Sequence, residues 1–382
     1  MDKISEIMLK LVRFIFTGEK NPDGYEKLSD EECKMLYALA KRHEIAHMLD
    51  CVKTEMTLFG EVEKAVDRLK KAAIYRYLLK EEEYKKVTEI LEKEKIKYMP
   101  LKGTITKKFY PEEWMRTSAD IDILIHEEDI SKVKKIFTEQ LSYEAGIKAR
   151  YDMALTAPSG VKIEMHFKLV IENEKVDRIL HNVWDNAAPA EESEYRHEMP
   201  GEIFLFYHLA HMAKHLKNGG CGIRYYIDYY LIKNNISYDE KAFLSLIQEA
   251  NLTLFMDNVE RIISKWFYGE EADAFTKNVE EYIVTGGIHG NAENHAALHQ
   301  NGKHRKLNYV MSRIFLKKSA FIYNHPEIEE QPWLIVYYQF ERWMRIFNKK
   351  KRERSMAVLK VNMAVTDGKV VEVNDIMKKL GI

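Results

Sequence analysis

The sequence has few of the residues that mark a disulfide-rich or zinc-binding protein. Its 382 residues include three cysteines, Cys33, Cys51 and Cys221, which are scattered and odd in number. A disulfide framework is therefore not expected, no metal-binding spacing of cysteines is present, and a reducing cytoplasm fits the chain. There is also no internal repeat and no low-complexity segment.

Excess charge of one sign and long apolar runs are missing as well. The formal net charge is −1, which gives no overall attraction to nucleic acid or to a membrane surface. The apolar start, residues 1–20, is too short and too interrupted to span a bilayer and lacks a small-residue cleavage site. We expect an amphipathic helix there. The length and the 46% hydrophobic content indicate two or three domains with a sizeable core.

The most informative stretch is residues 98–125, in which Asp120 and Asp122 lie two apart. Three isoleucines alternate with them: Ile121, Ile123 and Ile125. On a strand, residues two apart point to the same face, so the isoleucines would face a core and the carboxylates would point out together. Neighbouring carboxylates repel each other unless a cation lies between them, and Mg²⁺ prefers carboxylate and phosphate oxygens. The stretch is a candidate phosphoryl- or nucleotidyl-transfer site.

Residues 161–169 supply a third carboxylate. Four apolar residues alternate there with polar ones: Val161, Ile163, Met165 and Phe167. This pattern predicts a strand with one buried face, and Glu164 and His166 share its polar face. If this strand pairs next to the strand of Asp120 and Asp122, Glu164 completes a three-carboxylate cluster. Two-metal nucleotidyl transfer uses such a cluster to serve the attacking hydroxyl and the triphosphate.

The order of these elements resembles the polymerase-β-like nucleotidyltransferase superfamily. The sequence is more similar to its uncharacterised bacterial nucleotidyltransferase branch, in which an LKG turn precedes an R-x-x-x-D-I-D-x-L strand. The matching residues here are Leu101, Lys102, Gly103, Arg116, Asp120, Ile121, Asp122 and Leu124, followed by Ile163, Glu164 and His166. The superfamily's usual Gly-Ser or Gly-Gly turn is replaced by Lys102-Gly103-Thr104, as in the branch.

The resemblance implies transfer of a nucleoside monophosphate from an NTP to an acceptor hydroxyl, with release of pyrophosphate. Asp120, Asp122 and Glu164 would be catalytic and would bind Mg²⁺ (or Mn²⁺), and Glu164 would also help to deprotonate the acceptor. The nucleotide-binding residues that it implies are Lys102, Gly103, Thr104, Arg116 and Ser118. The near-neutral net charge favours a small-molecule acceptor over nucleic acid.

Two cationic residues each have two interpretations. Lys102 is either a solvated lysine at a strand end or lies with Gly103 against phosphate groups. Arg116 either pairs with Asp120 or orients its loop and meets a phosphate. The sequence leaves both interpretations open for each of these two residues.

Three histidines, His208, His211 and His215, recur at i, i+3 and i+7 and would share one helical face. This face has three possible roles: a zinc site, a polar surface packed on the core, or part of the substrate cleft. We favour the cleft. Arg224 and Asp228 either form an i, i+4 pair or hold the cleft wall. The predicted acceptor-cleft residues are His166, His211, His215, Arg224 and Asp228.

The expected fold class is α+β, with a small mixed-sheet nucleotidyltransferase core flanked by N- and C-terminal helical regions. We predict a helical region at 1–94, the core at 95–190 and a second helical region at 191–347. A basic segment and a β-hairpin tail are predicted for 348–382, with the hairpin turning at Asp367-Gly368. The basic run KKKRER either touches nucleic acid or is a solvated helix end, and the helix end is favoured.

A non-catalytic nucleotide-binding or regulatory protein that retains the fold is the alternative function. Three clustered acids argue against it, because a binding protein has no need of them. Release of pyrophosphate separates the two functions, whereas thermal stabilisation by nucleotide does not.

Overall fold

The computed structural model describes residues 1–19, 27–53, 55–300, 305–323, 325–344 and 347–382. Within these ranges, no helix is long and apolar enough to cross a membrane. The α-helices are α1 (Lys3–Thr17), α2 (Asp30–Arg42), α3 (Gly60–Lys93), α4 (Gly103–Thr106), α5 (Ile130–Gln140), α6 (Glu174–His181), α7 (Gly201–Lys217), α8 (Ile223–Asn235), α9 (Glu240–Glu249), α10 (Thr253–Ile263), α11 (Ala274–Gly286), α12 (Ala292–Leu298), α13 (Arg305–Ile314), α14 (Lys318–Ile322), α15 (Leu334–Met344), α16 (Lys349–Ala364) and α17 (Asp367–Leu380). Short 3₁₀ helices span Ala46–Val52, Lys107–Phe109, Glu113–Met115, Glu127–Asp129, Val183–Asn186 and Pro326–Ile328, and a π-helical turn spans Ser264–Tyr268.

A five-stranded mixed sheet lies between these helices. Its strands are β1 (Tyr98–Pro100), β2 (Asp120–Ile125), β3 (Glu144–Lys148), β4 (Asp152–Thr156) and β5 (Lys162–His166). Their spatial order is β1-β2-β5-β4-β3. Strands β2 and β5 run parallel, and the other neighbours run antiparallel. A separate two-stranded sheet pairs β6 (Ala188–Pro189) with β7 (His197–Glu198). The α+β class and the mixed sheet predicted from the sequence are confirmed.

The two faces of the sheet differ in chemistry, as the alternation in β2 predicts. On one face, the isoleucines of β2 and the apolar residues of β5 pack against α3 and α5, which contribute Val87, Leu91, Val133 and Phe137. Burying one such side chain stabilises the fold by about 1.5–3 kcal/mol. The opposite face carries Asp120, Asp122 and Glu164. Because a one-residue slip would exchange the two faces, this apolar packing fixes where the carboxylates lie.

The helices before and after the sheet share one continuous apolar core. Its members come from elements far apart in the chain, among them Leu11 of α1, Leu36 of α2, Val66 of α3, Phe206 of α7 and Phe255 of α10. Leu124 of β2 belongs to this core, whereas its isoleucine neighbours belong to the core on the other face. The shared helical core therefore meets the carboxylate-bearing face of the sheet. The division of the chain after residues 94, 190 and 347 stays a prediction.

The β-hairpin predicted for the tail is wrong, because this part of the chain forms α16 and α17. The side chain of Thr366 caps α17 by accepting a hydrogen bond from the amide of Lys369 at 3.2 Å. The apolar residues of α17 recur at helical spacing and are buried together: Val370, Val373, Ile376, Met377 and Leu380. Burial of this face outweighs the β-propensity of the valines. The basic run at 349–354 lies within α16.

Alanine at position 368 tests the helical tail. A hairpin turn would need glycine at Gly368, whereas in the first turn of α17 an added Cβ would meet Thr366 Oγ1 at an ordinary 4.0 Å, and the φ of Gly368 is not positive. We expect Gly368→Ala to leave stability unchanged or raise it by up to about 1 kcal/mol. The matched variant Gly381→Ala should destabilise by about 1 kcal/mol, because Gly381 has a φ of 77°. Urea denaturation of both variants is the measurement, and a destabilised Gly368→Ala would contradict the helix.

Candidate functional site

The two acidic strands are direct neighbours. In the parallel ladder of β2 and β5, Asp122 lies opposite Glu164 and Leu124 lies opposite His166. One ligating atom each from Asp122, Glu164 and His166 lie within 4.8 Å of one another, so the three side chains could hold a metal ion. The sequence placed Asp120 in this cluster and His166 in the acceptor cleft. Among the described residues, the compact group contains His166 and not Asp120.

Asp122 is the most enclosed of the three carboxylates, with 5% of its surface exposed. Lys102 donates from Nζ to its Oδ1 at 2.6 Å, and His166 Nε2 lies 2.9 Å from the same oxygen. Burial alone would raise the pKa of Asp122. The ammonium of Lys102 and the bonded His166 reverse this effect and hold the pKa of Asp122 below its usual range. Asp122 is therefore ionised at neutral pH.

The other two carboxylates shift in the opposite direction. Burial, followed by the charge of Asp122, raises the pKa of Asp120. Burial raises the pKa of Glu164 too, with the charges of Asp120 and Asp122 adding to the effect. Each of these acids therefore binds a proton more readily than an isolated carboxyl group does. A divalent cation between them would relieve the repulsion that adds to these shifts.

Lys102 reaches Asp122 because of the turn that follows β1. The amide of Leu101 donates to the carbonyl of Asp122 at 3.0 Å, which extends the pairing of β1 with β2. Lys102 then adopts φ 46° and ψ −126°, a conformation that glycine adopts much more easily than lysine. Such strain is typical of functional sites and costs about 1–3 kcal/mol. Tertiary contacts of the lysine must supply this energy.

A cavity of about 650 Å³ opens beside the carboxylates. The predicted site residues that line it are Lys102, Gly103, Arg116, Ser118, Asp120, Asp122, His211, His215, Arg224 and Asp228. Thr104 and Ser118 line a smaller neighbouring cavity. Glu164 and His166 line neither of these two cavities, and they flank Asp122 on the adjacent strand. The structure thus brings most of the predicted residues around one cavity.

The three histidines of α7 are neutral members of this cavity wall. Burial lowers the pKa of His208, His211 and His215, that of His215 to about 3. His215 Nε2 lies 2.9 Å from the hydroxyl of Tyr225. Within the described part of the chain, the one group of three side chains close enough to share a metal ion is the Asp122 cluster. The zinc alternative for α7 has no support from this geometry.

Arg116 pairs with Asp228, a partner that was not predicted. Its Nε donates to the two carboxylate oxygens of Asp228 at 2.8 and 2.9 Å, and both side chains are buried. The guanidinium lies under the turn, since a Cβ added at Gly103 would come within 3.5 Å of it. Arg116 therefore supports the turn, and it does not pair with Asp120.

Arg224 also has partners other than the expected one. It donates to the carboxylate of Glu44 and to the carbonyl of Thr117, the latter at 3.2 Å. The i, i+4 pair of Arg224 with Asp228 is therefore not present among the described residues. Both side chains instead line the cavity. This agrees with the alternative interpretation of the sequence, in which they hold the cleft wall.

Two residues beside the carboxylates escaped the sequence analysis. Lys80 of α3 donates to the carbonyl and hydroxyl of Ser118, both at 2.6 Å, and to the carbonyl of Asp120 at 3.0 Å. Burial lowers the pKa of Lys80 to about 8. Tyr207 of α7 lines the large cavity with Lys102. Neither position carries a local signal, because Lys80 lies in a run of charged residues and Tyr207 in an apolar helix.

Loss of charge at Asp228 tests the buried ion pair. We expect Asp228→Asn to destabilise the fold by about 3–5 kcal/mol, because it leaves the guanidinium of Arg116 buried without a counter-ion. The exposed pair of Lys34 with Asp30 is the control, and Asp30→Asn should change stability by less than about 1 kcal/mol. Urea denaturation measures both variants. Similar small effects at the two sites would show that Asp228 does not balance Arg116.

Comparison with known proteins agrees with this geometry. A family model described as an uncharacterised nucleotidyltransferase matches residues 29–268, which is more than half of the chain and includes every predicted site residue. No curated protein and no solved structure matches the chain. The matched region spans both strands of the carboxylate cluster and the cavity-lining helices α7 and α8. The chain belongs to this nucleotidyltransferase family.

Proposed function

We propose that this protein is a divalent-metal-dependent nucleotidyltransferase that moves an NMP from an NTP to an acceptor hydroxyl and releases pyrophosphate. The observation that carries the proposal is the parallel register that sets Asp122 opposite Glu164, beside Lys102 and a cavity of about 650 Å³. Family membership supports the reaction class. The metal, the individual roles and the acceptor are inferred from the chemistry of the residues.

The donor set fits a divalent cation. Asp122 and Glu164 offer carboxylate oxygens, which Mg²⁺ and Mn²⁺ both prefer. His166 adds an imidazole nitrogen, which suits Mn²⁺ better than Mg²⁺. Asp120 shares the polar face of β2 with Asp122 and could hold a second ion. When bound, such cations would neutralise phosphate charge and lower the pKa of an attacking hydroxyl.

The remaining roles follow from position and charge. We assign the triphosphate to the side of the turn at Lys102-Gly103-Thr104, where Ser118 lines the same two cavities as Gly103. Arg116 would stiffen this turn from below rather than bind phosphate itself. Glu164 would accept the proton of the acceptor hydroxyl, because its side chain is 38% exposed and its pKa is raised.

The cavity wall favours a small, uncharged polar acceptor. Helices α7 and α8 line it with the neutral imidazoles of His211 and His215 and the phenols of Tyr207 and Tyr225, which hydrogen-bond without requiring a charged partner. His211, His215, Arg224 and Asp228 would border this acceptor, with His166 at the metal. Nucleic acid is a less suitable acceptor for a chain of net charge −1. The three free cysteines fit a cytoplasmic location.

A non-catalytic nucleotide-binding protein is the alternative. The raised pKa values of Asp120 and Glu164 favour catalysis, since clustered acids destabilise a binding site that has no metal chemistry to perform. Release of pyrophosphate from an NTP decides between the two functions.

The first test of this proposal is metal-dependent stabilisation. Mn²⁺ and NTP should each stabilise the folded protein by about 2.7 kcal/mol when that free ligand is at 100 times its Kd. Asp120→Asn/Asp122→Asn should remove that increment in a thermal melt. The control Glu61→Gln/Glu63→Gln removes two exposed acids of the same spacing from α3 and should keep it. A double variant at 120 and 122 that retains the full shift would place the metal elsewhere.

The second test concerns Glu164. Glu164→Gln should bind NTP with nearly unchanged affinity while pyrophosphate release falls by about 10²-fold or more, because the proton acceptor is lost. Glu144→Gln, an exposed acid on β3, should release pyrophosphate at the normal rate. Equilibrium binding of a fluorescent NTP and a coupled pyrophosphate assay give the two values. A loss confined to NTP affinity would assign Glu164 to metal binding alone.

A further inference from the structure

We infer that Lys102 is a built-in counter-ion of Asp122 that competes with the metal and moves to the nucleotide when the metal binds. This inference rests on the proposed function and deepens it. It predicts that the protein alone binds divalent metal weakly, and that the arriving triphosphate releases this restraint.

The first observation is that the Oδ1 atom of Asp122 already has two cationic or hydrogen-bonding partners. The ammonium of Lys102 lies 2.6 Å from it and the imidazole of His166 lies 2.9 Å from it. The side chain of Asp122 is 7% exposed, so little of the carboxylate is open to another cation. A metal ion that used this oxygen would stand close to the ammonium, and two like charges at that distance repel strongly.

The second observation is that Lys102 borders the cavity in which we place the triphosphate. Its side chain is 26% exposed, and it lines the same cavity as Gly103 and Ser118, on the side assigned to the triphosphate. A lysine ammonium on a four-carbon stem reorients by rotamer changes alone. Lys102 can therefore leave Asp122 for a phosphate oxygen without a rearrangement of the sheet.

The third observation is the strained backbone of this residue. Lys102 has φ 46° and ψ −126°, where glycine would be relaxed. The ion pair with Asp122 offsets this strain in the nucleotide-free protein, and a phosphate contact would offset it in the complex. The residue thus keeps one anionic partner in each state.

The consequence is a reciprocal coupling between metal and nucleotide. Whatever moves Lys102 away from Asp122 strengthens metal binding, and a metal at Asp122 frees Lys102 for the triphosphate. Thermodynamic linkage makes the two effects equal in size. The site would fill with metal and NTP together and would stay charge-balanced when empty.

The experiment is a Mn²⁺ titration of the nucleotide-free full chain, followed by the electron paramagnetic resonance signal of free Mn²⁺. Lys102→Gly removes the ammonium at a position whose backbone suits glycine, and we expect it to tighten Mn²⁺ binding about tenfold. Lys102→Arg keeps the charge and should bind Mn²⁺ as weakly as the native protein. Lys233→Met removes a lysine that pairs with Glu260 at 2.7 Å, away from the cavity, and should change nothing.

Thermal melts first establish that each variant is folded. A folded Lys102→Gly that binds Mn²⁺ no better than the native protein overturns the inference and leaves the proposed metal site standing. If neither the native protein nor any of the variants binds Mn²⁺, both the inference and the metal site fail. Tightening by Lys102→Gly in a protein that releases no pyrophosphate from any NTP supports the exchange of cations and overturns the transfer activity.

Discussion

The repulsion between acidic groups on two adjacent parallel strands is the constraint on which this site depends. Burial of the isoleucine face of β2 fixes the register, and that register brings Asp122 opposite Glu164. The protein offsets the cost of this arrangement with the ammonium of Lys102 from the turn after β1, a hydrogen bond from His166 of β5 and the nearby ammonium of Lys80 from α3. Part of the negative charge of the site is thus compensated before any ligand binds.

The surrounding helices build a cavity beside this cluster. Helices α7 and α8 bring histidines, tyrosines and the Asp228 carboxylate to the cavity. Asp228 in turn holds Arg116 against the turn at Lys102-Gly103-Thr104. The long helix α3 holds the loop that leads into β2 through Lys80. Because these helices share one apolar core, the cavity and the carboxylate face are parts of the same packed structure.

Much of the site was predictable because side chains alternate between the two faces of a strand, and this alternation can be read from neighbouring residues in the sequence. The alternation around Asp120 and Glu164 predicted two strands with polar and apolar faces, and the pairing places the two faces as expected. The tail failed because its valines favour strands locally, while their helical spacing buries one face in the core. Strand β3 was not predicted at all. The pair of Arg116 with Asp228 joins residues 112 positions apart, a distance over which no local pattern carries information.

A crystal structure with Mn²⁺ and a non-hydrolysable NTP would show whether metal and nucleotide bind together at this cluster. We predict an anomalous manganese peak in contact with Asp122 and Glu164. We also predict that the ammonium of Lys102 has left Asp122 for a phosphate oxygen and that the nucleotide lies in the cavity beside Gly103 and Ser118. A nucleotide bound elsewhere, or a complex with no manganese at these carboxylates, would contradict this prediction.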